Sequence, residues 1–266
     1  DLICRFGTIG APLIAGMIWD IGGPWPTFGM VAAWAMTMHV LVRLVPEPNP
    51  ELATIARPSI RTVLPRISDY TCSFALMLIP VIAFTVVVSG FRNAATSIQN
   101  SIYVVYLEGI GLDGTMIGAL FAALEVTTGI ASLQVKSVRK FGRAEAVLLI
   151  STALSIALIA VTPFLGGVFL LLVLMQLLRG VCQGFMQPLM FSIQSEAAGK
   201  QFQGAVVGLR MTANRIFSVV LPPIMGFIAD HISLGASFVL TGLLLITGCA
   251  LLGWLVVVRP EFRVDK

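Results

Sequence analysis

The chain has 266 residues, 57% of them hydrophobic and only 11% charged, so it could not clothe a water-facing surface, and lipid is its expected solvent. The formal net charge of +4 does not signal a nucleic-acid binder, because the basic residues follow a membrane topology. Cys4, Cys72, Cys182 and Cys249 are scattered, and His39 and His231 are the two histidines, so neither a disulfide framework nor a metal centre is expected.

A hydrocarbon core of about 30 Å needs roughly 20 apolar residues per helix. Taken in chain order, the apolar runs predict spans at about 3–22, 26–45, 72–102, 114–135, 145–163, 167–192, 205–229 and 235–258. Most connections are short. The stretch 46–70 is polar, basic and rich in proline, and reads as a loop.

Arg43, Arg57, Arg61 and Arg66 surround that loop, and Lys136, Arg139, Lys140 and Arg143 fill the connection after the fourth span. Lys200, Arg210 and Arg215 follow the sixth, and Arg259, Arg263 and Lys266 close the chain. The alternate connections carry neither Lys nor Arg. This bias predicts eight spans with both ends cytoplasmic, and of the 17 basic residues fifteen lie in or beside the cytoplasmic connections and ends, Arg92 and Arg179 being the exceptions within spans.

The chain repeats itself at an offset of 210 residues. Arg5, Pro12, Ile14, Gly16, Ile18, Asp20 and Phe28 recur as Arg215, Pro222, Ile224, Gly226, Ile228, Asp230 and Phe238. The first two spans are therefore expected to be homologous to the last two. With a six-helix repeat unit, this chain would lack the first four helices. Parallel repeats of this kind are a transporter construction.

At this point the chain resembles the major facilitator superfamily, over essentially its whole length. In the first span, Gly7, Pro12 and Gly16 are similar to the family's antiporter motif, with Ala11 and Ala15 where that motif has glycines. In the connection after the fourth span, Gly142 and Arg143 resemble the basic and glycine part of its cytoplasmic loop motif. Arg179 with Gln183 and Gly184 is similar to its arginine motif. The resemblance implies an all-α, polytopic helical membrane protein with the superfamily fold. Residues 1–45 would be the last two helices of the N-terminal half, 46–70 the central loop and 71–266 the C-terminal six-helix half. It also implies alternating access, with a lean toward proton-coupled efflux.

Several polar residues at membrane depth are candidates for the substrate and proton pathway. Arg92, Thr96, Gln99 and Tyr103 share one helical face, and Asn93 lies on an adjacent one. Lipid does not tolerate such polarity, so these faces should line a cavity or a helix interface. Arg92 suits an anion or carbonyl contact, or alternatively snorkels to the outer headgroups. Glu125, near the middle of the fourth span, shares a face with Gly118, Ala122 and Gly129. There it could carry a proton, or pair with Arg92 or Arg179. Arg179, Gln183 and Gln187 form a stripe every four residues, and Pro188 could break the helix behind it. Asp20 and Asp230, at outer helix ends, suit a structural role, and Met186 and Met190 suit packing or greasy substrates.

The expected partners are a small-molecule substrate, protons and membrane lipid, with no cofactor, no nucleic acid and no obligate protein partner. The expected location is the bacterial inner membrane. An embedded enzyme is disfavoured, because no HExxH motif or paired intramembrane acids are present. An uptake carrier for a metabolite, or a receptor or assembly protein on the same fold, stays open.

Overall fold

A computed structural model describes residues 2–44, 74–138, 143–259 and 261. Among these, eight helices of 17 residues or more account for the expected spans. They are α1 (Leu2–Gly22), α2 (Pro24–Leu44), α3 (Pro80–Gly109), α4 (Gly114–Leu133), α5 (Ala144–Ala160), α6 (Phe169–Gly199), α7 (Phe202–His231) and α8 (Leu234–Val258). Of these, α2, α3, α4, α6, α7 and α8 are each long and apolar enough to cross a membrane. The stretch 46–70 and Gly142 lie outside the described residues.

Local chemistry sets the helix ends. Pro80 opens α3, where its missing N–H costs no hydrogen bond. Ser233 caps α8, its Oγ accepting the N–H of Ala236 at 3.1 Å. Pro188 does not break the sixth helix. It lies inside α6, which runs on to Gly199. The break comes at Gly199, whose φ of 65° suits a residue without a Cβ. Within α3, Gln99–Tyr103 form a π turn, which inserts extra backbone and rotates the remainder of the helix.

α3 to α8 share one buried core. Ile98, Leu107, Leu120, Ile156, Met225 and Phe238 bring five of these helices together near its centre. A second cluster joins Phe84 and Val88 of α3 to Leu148 of α5 and to Met186 and Met190 of α6. Both methionines are fully buried there, which assigns them to packing. α1 packs against α4, and α2 packs against α1 with nearly all its side chains exposed.

Candidate functional site

Polar groups collect at three places, and the residues that shared one face in the sequence divide among them.

The first is the seam between α1 and α4. Gly118 closes on the Pro12 backbone carbonyl and Gly16 on the backbone of Gly114, so neither glycine has room for a Cβ. Asp20 ends the seam. Its Oδ1 accepts the N–H of Gly114 at 2.8 Å and its Oδ2 the N–H of Thr115 at 2.7 Å, and the Thr115 hydroxyl donates to Oδ2 as well. A carboxylate there satisfies the orphan N–H groups of the first turn of α4 and complements its dipole. Half-buried Glu125 lies two turns beyond Gly118 on the same helical side. The repeat-equivalent Asp230 is exposed at the end of α7, and Gly226 has open space around it. Pro222 lies inside α7, and Gly7 is exposed on α1.

The second place lies between α3 and α6. Arg179 is 2% exposed. Its Nη2 donates to the Ala95 carbonyl at 3.2 Å, and its Nη1 reaches the Gln176 Oε1 at 3.5 Å. Arg179, Gln176 and Tyr103 line a cavity of about 10 Å³, room for one water at most. Arg179 and Tyr103, which the sequence reading set on separate faces, thus meet here, together with Gln176, which that reading missed. Gln176 lies three residues before Arg179, so i, i+3 spacing was the available signal. Gln183 is half-buried and Gln187 exposed, so the stripe runs outward from this network.

The third place is the seam between α3 and α7. Asn93 Nδ2 donates to the Asn214 carbonyl and to Ser218 Oγ, both at 2.7 Å, and Ser89 Oγ donates to Asn214 Oδ1 at 2.9 Å. Arg92 flanks this ladder, and Thr96 returns its hydroxyl to the Arg92 carbonyl at 3.2 Å. Arg92 lies 12 residues into a helix of 30, near its middle. Gln99 is buried in the π turn. Arg210 belongs to this place too. The sequence reading set it, with Arg215, just after a cytoplasmic connection, on the predicted span 205–229; in the structure it lies two turns into α7 and is 7% exposed. Arg215 is farther along α7 and exposed, not at the helix start.

Long apolar helices with arginines, amides and a carboxylate gathered in helix seams define an integral membrane protein of the transporter class. The family model described as Major Facilitator Superfamily matches residues 82–266, and the chain belongs to that superfamily. It is a membrane transporter for a small molecule. No curated protein matches the chain.

Proposed function

We propose that the protein is a secondary active carrier working by alternating access, as proton-coupled efflux. Residues 1–45 would supply two helices of one half, 46–70 the cytoplasmic central loop and 71–266 the other half. Both ends would face the cytoplasm of a bacterial inner membrane.

The observation that supports this best is the α1–α4 seam. Gly16, Gly114, Gly118 and the Pro12 carbonyl bring two backbones together without interlocking side chains. Two rigid halves can rock along such a seam. The similarity of Gly7, Pro12 and Gly16 to the antiporter motif favours export.

Glu125 is the proton carrier in this reading. A carboxyl group in low dielectric holds its proton until water or a cation reaches it, which couples its charge to the opening of the seam. Arg92, Asn93, Thr96 and Gln99 contact substrate. Arg179, Tyr103, Gln183 and Gln187 line the path once the small cavity opens.

The test is transport by the full-length protein in proteoliposomes under an imposed pH gradient of either sign. Glu125→Gln should abolish gradient-driven flux and leave counterflow exchange intact. Unchanged driven flux in that variant would remove Glu125 as the proton carrier. Flux driven only by a gradient of the opposite sign would make the protein an uptake carrier.

A further inference from the structure

We infer that Arg92 and Arg210 together form a binding site for an oxyanion, a carboxylate or phosphate group, in the seam between α3 and α7. Resting on the carrier reading above, this assigns the substrate class as a small molecule bearing such a group.

Arg210 carries the inference. It is 7% exposed, and its Nε and Nη1 are both buried without a hydrogen-bond partner. Its guanidinium carbon stands 4.5 Å from the centroid of the Phe191 ring, which fixes the plane of the fork but accepts none of its in-plane hydrogen bonds. Across the seam the Nε of Arg92 is also buried and unpartnered.

The ladder brings the two arginines together. Asn93 follows Arg92, Asn214 lies one turn after Arg210, and these asparagines are hydrogen-bonded to each other. The same ladder joins α3 one residue after Arg92 to α7 one turn after Arg210, which sets both arginines on one seam. Two cations in a low-dielectric seam repel, and each unmade hydrogen bond to a charged group is costly. One bound oxyanion reverses both effects. Its oxygens accept the free N–H groups in forked geometry, and its charge turns the repulsion into attraction.

The ladder itself is neutral, made of Ser89, Asn93, Asn214 and Ser218, so it supplies no negative charge to the arginines. A cavity of about 320 Å³ lies between α6 and α7, with Phe191, Gln194, Gln203 and Val206 among its walls. Phe191 is shared between that cavity and Arg210, and the Oε1 of Gln194 is buried without a partner. The cavity walls come from the helix segments on either side of the Gly199 break.

The experiment is a titration of the full-length protein, purified in detergent, with inorganic phosphate, sulfate and succinate against chloride at matched ionic strength. Melting temperature is the readout. The expected result is a saturable rise with at least one of the three oxyanions. Arg210→Lys keeps the charge and loses the fork, and should weaken apparent affinity about tenfold or more. Arg92→Gln and Arg210→Gln should each abolish saturation, while Arg259→Gln, exposed beyond α8, should titrate like the wild type. No saturable rise with any probe, or wild-type titration in both glutamine variants, would overturn the site. Those results would mean that a carboxylate of the protein itself balances the arginines.

Flux in proteoliposomes is measured alongside. Saturable, arginine-dependent binding with no flux of the bound anion keeps the site and removes the carrier reading. Flux of an uncharged solute without saturable binding keeps the carrier and removes the site.

Discussion

The Asp20 carboxylate accepts the backbone N–H of Gly114 at 2.8 Å, joining the end of α1 to the start of α4 across 94 residues of sequence. This contact closes one end of a seam in which Gly16 and Gly118 meet the backbone of the facing helix. Asp20→Ala should lower the melting temperature of the purified protein. Asp230→Ala, at the exposed repeat-equivalent position, should leave it unchanged. A comparable loss from both substitutions would show that Asp230 secures a seam of its own.

Gly180 and Gly184 let α6 approach α4. A Cβ at position 180 would collide with Thr127 and the Leu124 carbonyl, and one at 184 with Ala131 and the Thr128 carbonyl. Gly180→Ala and Gly184→Ala should each cost about 1–3 kcal/mol, the usual penalty for overpacking. Gly208, with open space around it, is the control, and Gly208→Ala should cost nothing. Reversible unfolding in mixed micelles reads the difference.

Arg179 holds the Ala95 carbonyl inside α3. Arg179→Met would leave that carbonyl and Gln176 without their charged donor. The expected loss is about 1.5–3 kcal/mol, the range for a hydrogen bond to a charged group. A double-mutant cycle with Gln176→Leu should give a non-zero coupling energy. Additive losses would mean that the two side chains act independently.

Asn214 serves both Ser89 and Asn93. Asn214→Ala keeps its backbone carbonyl but removes the acceptor for Ser89, so it should cost about 0.6–2 kcal/mol, as for polar contacts between membrane helices. Asn93→Ala removes two donated bonds and should cost more than Asn214→Ala in the same unfolding assay. The reverse order would show that the side-chain bond from Ser89 dominates the seam.

Much of the architecture was legible before any coordinates. Hydrophobic runs long enough to span a bilayer leave the backbone no choice but helix, because lipid offers no hydrogen-bond partners. The repeat at 210 residues gave Asp20 and Asp230 the same expected role, but in the structure Asp20 bonds to Gly114 and Thr115 while Asp230 is exposed. The small face of Gly118 announced a close neighbour, which proves to be α1. Arg210 was misread. Charge bias counted it with the cytoplasmic residues although the predicted span 205–229 contains it, and it cannot see that α7 carries Arg210 into a seam.

The sequence by itself determined the solvent, the secondary structure, the approximate spans and the short inventory of polar groups that lipid would exclude. Composition and period suffice for these, because each follows from one helix and its surroundings. Only the tertiary structure decided which polar groups meet. Arg92 and Tyr103 share a face in an ideal helix, but the π turn at Gln99–Tyr103 lies between them. Tyr103 joins Arg179 of α6, while Arg92 lies beside α7 and Arg210. A helical period is a local property, whereas the identity of a facing helix depends on the packing of all the others.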